Sequence, residues 1–310
     1  MAIICDFSQI ISACIYVGDA AECAKHPSES SKSMIKHSVI NSVRANFVLH
    51  KQRYGQMILA CDSGSWRYDV FPQYKHQRKL KRAADTSGIR WDFVNEVKAE
   101  LISDFDKFFP FPVIKIDKVE GDDVLGVLSK LISKTSVIGA ETNMFDETEP
   151  ESILLISSDK DNYQIHGLGK HIRQWSPMDK KLVKPIGSPR NALIEKIVKG
   201  DSSDGIVSIK STDNTFVDGI RQKPISQKYL ESFFASNTPI NSCLTEEERK
   251  HYIRNEQLVS YEKIPLDIQE SIISCYNAQI QKKHNKMALM NYLTQNRMSN
   301  ILGQIHDFFL

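Results

Sequence analysis

The chain has 310 residues, 41% hydrophobic and 25% charged, the profile of a soluble globular protein with room for one large or two modest domains. Its 40 basic and 38 acidic residues leave a net charge of +2, so charge alone excludes a strongly basic or acidic chain and names no partner. The six cysteines form no C-x-x-C pair and have no histidine at zinc-ligand spacing, which excludes a zinc module and fits a reducing, cytoplasmic setting. The opening MAIICDFSQI lacks a basic leader region and is interrupted by Asp6, so no signal peptide is expected. No apolar run approaches the ~20 residues that span a bilayer, so no membrane partner is expected.

In chain order, Ala2–Cys5, Met57–Cys61, Val113–Ile116 and Ile153–Ile156 read as short buried strands, each more than thirty residues from the next. Such spacing suits crossover connections and a parallel sheet. Helices are expected over 36–53 and 121–134, the second from Val124, Leu125, Val127, Leu128 and Leu131 at helical spacing. Residues 135–152, rich in acid, read as a surface excursion. Ser188 and Pro189 form an N-cap and first turn, Leu193, Ile194, Ile197 and Val198 an apolar face, and Gly200 a stop. Thr245 to Glu248 carries a capping-box signature, and 266–282 and 284–310 also read as helical. The fold class is therefore α/β over about 1–185, a mostly parallel central sheet flanked by helices, followed by a helical part over 186–310.

Every strand candidate is followed by carboxylates. Asp6 follows the first, Asp62 the second, Glu120, Asp122 and Asp123 the third, and Asp159 and Asp161 the fourth. In a parallel sheet these ends share one edge, where ligands bind. Asp201 and Asp204 stand just past the helix that ends at Gly200. Crowded carboxylates repel and raise one another's pKa, a penalty that divalent cations remove. Oxygen-only ligands favour Mg²⁺, with Mn²⁺ able to substitute, and so many acids imply two ions, an arrangement suited to in-line displacement at a phosphodiester.

Close behind Asp62 runs SWRYDVFPQYKHQRKLKR, with Trp66, Tyr68, Phe71 and Tyr74 interleaved with Arg67, Lys75 and Arg78, and then Lys79, Lys81 and Arg82. Aromatics beside cations suit base stacking and phosphate binding. The polar stretch 74–95 is expected to order only around a bound single strand.

The motifs CDFSQI, YKHQR, VEGDD, LLISSDKDNYQ, RQWSPM and KIVKGDSSDGI together resemble the 5′-nuclease (flap endonuclease) superfamily, and within it the ribonuclease H group of T-even bacteriophages. The resemblance implies a PIN/5′-nuclease-like core, a helical arch at about 66–100 and a helix-turn-helix-like duplex clamp at about 188–222. It implies one metal held chiefly by Asp6, Asp62, Asp122 or Asp123, and Asp159, and a second near Asp161, Asp201 and Asp204, with Glu120 as the first acid of an E-x-D-D pattern. It implies Lys75 and Arg78 at the scissile phosphate, Tyr74 against a terminal base, and Arg67, Lys79, Lys81, Arg82 and Lys210 along nucleic acid. The implied activity is Mg²⁺-dependent 5′-to-3′ cleavage of RNA·DNA hybrids and of duplex DNA with a 5′ flap or nick, by a monomer. The tail GQIHDFFL reads first as the apolar face of a last helix, with Ile301, Ile305 and Phe308–Leu310, and second as resembling the short peptides that dock on a sliding clamp; that clamp and a single-stranded-DNA-binding protein are the expected partners. The chain departs from cellular members in having no glycine between Gly205 and Gly219, which argues against a potassium site at the clamp. The rival readings are a PIN-type ribonuclease, against which the long helical C-terminal part speaks, and a catalytically silent nucleic-acid-binding protein.

Overall fold

The structure is a computed structural model that describes residues 1–16, 19–138, 152–235 and 244–310. Most of the acidic excursion therefore lies outside the described residues. The four apolar runs become strands, and two further strands join them. β1 (Ala2–Asp6), β2 (Gln56–Ala60), β3 (Val113–Ile114), β4 (Ile153–Ile156), β5 (Ile172–Ser176) and β6 (Lys181–Leu182) form one sheet in the order β3-β2-β1-β4-β5-β6. The first five are parallel and β6 pairs antiparallel with β5. Register sets Asp6 beside Ala60 and Cys5 beside Ile156, so the chain leaves β1, β2 and β4 at one edge.

Helices bury both faces of the sheet, which is why its strands read as unbroken apolar runs. Alternation sends Ile3, Cys5, Leu154 and Ile156 into one core with α1 (Phe7–Ile15), α2 (Asp19–Lys25) and α3 (Glu29–Tyr54). Two short helices follow, α4 (Arg67–Val70) and α5 (His76–Ala83), and then α6 (Trp91–Phe108), whose Phe93, Val97, Leu101 and Phe105 join that core. Much of 74–95 is thus helical in the chain by itself, contrary to the expectation from its polarity. On the other face α7 (Gly121–Ile138) lies against β1 and β2.

The remaining helices are α8 (Pro189–Lys199), α9 (Gln227–Ala235), α10 (Glu246–Val259), α11 (Leu266–Ile280), α12 (Lys286–Gln295) and α13 (Ser299–Leu302). Thr245 closes the expected capping box at α10, its hydroxyl accepting from the Glu248 amide at 3.2 Å while Glu248 accepts from the Thr245 amide at 3.0 Å. Across the stretch expected to form a helix-turn-helix-like clamp, about 188–222, α8 is followed by a run of turns, and the next helix, α9, begins at Gln227. The single helix expected over 284–310 is broken where Arg297 takes a left-handed φ of 57°.

By contacts the chain divides into two units. The first comprises Met1–Gly64, Ser87–Lys184 and Asp267–Leu310; the second comprises Ser65–Thr86 and Pro185–Leu266. This differs from a single cut near residue 185. The reason is apolar packing: Leu289, Tyr292, Leu293, Met298, Ile301, Ile305 and Phe308 are buried with the sheet and α6. The second unit has its own core, in which Phe71 and Tyr74 pack with Ile194, Ile197, Val198 and Ile209. Among the described residues no helix is long and apolar enough to cross a membrane. Five described cysteines are free, with Cys5 and Cys61 buried as expected; Cys243 lies outside the described residues.

Candidate metal centre

The motif CDFSQI ties three strand ends of the first unit together. Asp6 caps α1, one carboxylate oxygen accepting from the Gln9 amide at 2.9 Å. The Ser8 hydroxyl accepts from the Asp62 amide at 3.2 Å, beyond β2, and the Gln9 side-chain oxygen accepts from the Ser158 amide at 2.6 Å, beyond β4. The segment SSDKDN is fixed in turn. Ser157 Oγ accepts from the Asp159 amide and the Asn162 side chain, and buried Gln174 of β5 donates to the Ser157 and Asp159 carbonyls at 2.9 and 2.7 Å. Asp159 Oδ1 accepts from the Asp161 amide at 2.9 Å, and Asp62 Oδ1 accepts from the Gly121 amide at 2.7 Å, at the start of α7. Asp6, Asp62 and Asp159 thus each commit one oxygen to the backbone that positions them.

The structure separates the adjacent pair on α7. Asp123 is fully buried, and its Oδ2 accepts from the Glu120 amide at 3.1 Å, so it serves the helix start. Asp122 lies in the field of the acids at the strand ends, with the charges of Asp6, Asp159, Asp161 and Asp62 acting on it. Its Oδ1 is buried without a hydrogen-bond partner. Burial first, and then those four charges, push its carboxyl well above the usual carboxylate range. Asp6 is pushed up to about 7 by burial and by Asp62 and Asp159, with the Gln9 amide and Lys98 pulling the other way. Glu120 stands half-buried just before α7, and its amide donates to Asp123 Oδ2.

A raised carboxyl binds its proton more tightly in the folded chain than in the unfolded one. Its stabilising contribution is complete below the unfolded value of about 3.8 and is lost as pH rises through about 7. In EDTA the thermal midpoint is therefore expected to carry a component that falls by several degrees between those limits. Asp6→Asn should remove that component, as melting curves of the two proteins across the range would show.

Among the described residues no three acid, histidine or cysteine side chains close into a cage around a metal ion. The chemistry of the set nevertheless fits a hard divalent cation: every donor is a carboxylate oxygen, and one buried oxygen has no proton donor. Sequence reasoning missed Lys98 of α6, whose Nζ stands 3.7 Å from Asp62 Oδ2. The available signal was a lysine next to Val97 on the buried face of a helix.

The other expected site residues lie in the second unit. Asp201 is paired with Lys196 at 2.8 Å; burial raises its carboxyl, but Lys196 and Ser203 outweigh that and hold it below the ordinary value. Asp204 receives Arg78 Nη2 at 2.5 Å and the Tyr74 hydroxyl at 3.1 Å, and its carbonyl accepts from the Lys75 amide at 2.7 Å. These two acids are therefore already charge-paired. Gly205 permits the close approach: its φ is +73°, and a Cβ there would lie 2.9 Å from the Gln73 carbonyl oxygen.

Two nucleic-acid readings need correction. Arg67 is buried, stacks on Trp66 with its guanidinium 4.6 Å from the ring centroid, and donates to the Leu258 carbonyl at 2.7 Å, in the last turn of α10. The Tyr74 ring is buried in the core of its unit, so it is not presented to a base. Lys210 is half-buried and lies over the Tyr229 ring at 3.8 Å, a contact compatible with its expected place along nucleic acid. Interleaved aromatics and cations here record packing. Arg78 and Arg82 are exposed on α5, while the side chains of Lys79 and Lys81 lie outside the described residues.

Comparison with known proteins converges on one family. A family model described as the C-terminal part of T4 RNase H matches residues 187–308. Ribonuclease H of Enterobacteria phage T4 is 31% identical over 284 residues, covering 89% of this chain and 87% of that protein. Among solved structures, the T5 protein co-crystallised with metal ions aligns with a TM-score of 0.56 at 17% identity, over 91% of this chain and 99% of that one. A T5 flap endonuclease in a pseudo-enzyme–product complex with DNA and metal ions gives 0.56 at 15% identity over the same shares. The T5 5′-exonuclease with bound zinc gives 0.51 at 16% identity, over 96% and 99%. At those identities the T5 structures establish the fold, whereas the T4 match is long and close enough to establish descent: the chain belongs to the ribonuclease H family of phage T4.

Proposed function

We propose that the chain is a structure-specific 5′-to-3′ nuclease that removes RNA primers and 5′ flaps from DNA during replication, using Mg²⁺. The observation that carries this reading is the carboxylate edge, above all the buried, partnerless oxygen of Asp122, a carboxyl in the field of Asp6, Asp62, Asp159 and Asp161. A bound divalent cation would supply Lewis acidity and an activated water at a phosphodiester. Asp6, Asp62, Asp122 and Asp159 would hold it, each kept in place by the cap or amide described above. Asp161, joined to Asp159 through its amide, would serve a second ion. Asp201 and Asp204 are engaged with Lys196 and Arg78, and no cation site is built on them here. On α5, Arg78 and Arg82 offer positive charge to a phosphate backbone, and Lys75 at its start is held by its own amide.

A sliding clamp and a single-stranded-DNA-binding protein belong to the same proposal as partners. Phe308 is committed to the core, so a clamp contact through the tail would rest on exposed Leu310.

The test is cleavage of 5′-labelled RNA·DNA hybrid, nicked duplex and 5′-flap duplex. The parent should cut in Mg²⁺ and stop in EDTA. Asp159→Asn should cut about a hundredfold more slowly, the size of effect seen when one electrostatic contact to a reacting group is lost. Undiminished cutting in EDTA would overturn the metal assignment, and binding without any cleavage by the parent would favour a silent binder.

A further inference from the structure

The carboxylate edge contains a cation of its own. Lys98 projects from α6, one position after buried Val97, and its ammonium approaches Asp62 Oδ2 at 3.7 Å. Its side chain is 26% exposed against 45% for Asp62, so the lysine is the more sheltered partner. Its charge also reaches beyond that pair: it acts on Asp6 in the direction opposite to Asp62 and Asp159. Lys98 has four methylenes and a compact charge, and can leave Asp62 at the cost of one loose contact.

We infer that Lys98 is a resident counter-ion of the carboxylate edge, which stabilises the metal-free chain and weakens the edge's hold on divalent cations. The inference rests on the proposal that this edge binds such cations. The physics is reciprocal. In the metal-free chain the ammonium offsets part of the repulsion among Asp6, Asp62, Asp122 and Asp159. When a divalent cation arrives, the same ammonium repels it and competes for Asp62. Lys98 is thus a positioning residue that acts through Asp62, and it sets how readily ions exchange at the edge.

The experiment uses the full chain with three substitutions, Lys98→Met, Lys98→Gln and Lys98→Arg. Mn²⁺ is the probe, its free concentration followed by electron paramagnetic resonance at low ionic strength, alongside melting curves in EDTA. Removing the charge should tighten Mn²⁺ binding on the order of tenfold and lower the metal-free midpoint; both effects should shrink in high salt. Lys98→Arg should stay close to the parent. A merely structural role for Lys98 predicts weaker or unchanged binding on losing the side chain, and that result in both Lys98→Met and Lys98→Gln would overturn the inference alone. Absence of Mn²⁺ binding by the parent would overturn the metal reading with it.

Discussion

Asp122→Asn is expected to melt at a higher temperature than the parent in EDTA, yet to cleave a 5′-flap duplex on the order of a thousandfold more slowly in Mg²⁺. Both effects have one source. Asp122 carries a buried carboxylate oxygen with no donor, in the field of four other acids. Asparagine has the same shape and needs no proton to be neutral, so the cost of holding this carboxyl protonated near neutral pH goes, a gain of about 1–3 kcal/mol in the metal-free chain. At roughly 2–4 °C per kcal/mol the shift is readily measured. The loss in cleavage should exceed that of Asp159→Asn, because Asp159 already commits one oxygen to the Asp161 amide whereas Asp122 Oδ1 has no such engagement. A lower metal-free midpoint combined with near-parental cleavage would refute the assignment of Asp122 as the central ligand.

The second large effect lies far along the chain from the carboxylates. Phe308→Ala is expected to cost about 3–5 kcal/mol of folding stability, read as a lower urea midpoint at unchanged slope. Phe308 is 1% exposed, with its ring centroid 5.2 Å from Phe109 and 6.2 Å from Phe111. Those rings join α6 and the strand that follows it to the sheet. The tail is held besides by an ion pair between Arg44 and Asp307 and by Lys51, which donates to the Asp307 and Phe309 carbonyls. A cost under about 1 kcal/mol would mean that the tail is not part of the core.

Much of the acidic edge was legible because its grammar is local: a run of β-branched residues, then a carboxylate, repeated. Asp6, Asp62 and Asp159 stand where that pattern puts them. Choosing between Asp122 and Asp123 was not possible from spacing, since successive residues of a helix point about 100° apart and either could face the edge. β5 escaped notice because IRQWS mixes polar residues into its pattern, and buried Gln174 is explained by the carbonyls it meets just past the end of neighbouring β4. β3 is shorter than its apolar run, and β6 is two exposed residues paired at an edge. The basic stretch misled for a related reason. Trp66, Phe71 and Tyr74 look alike whether they await a base or fill a core, and only burial tells the two apart.

The way the chain returns to its first core has a consequence for synthesis. Arg44 and Asp307 meet across 263 positions, and Lys51 and Phe309 across 258. α3 and α6 find part of their apolar cover only when residues 267–310 have followed. Non-local closures of this kind are slow and leave apolar surface uncovered meanwhile. The segment Pro185–Leu266 of the second unit is complete before those residues are made. A nascent chain therefore carries a fully packed first unit only after residues 267–310 have been made, so products cut before them should be inert rather than unregulated nucleases.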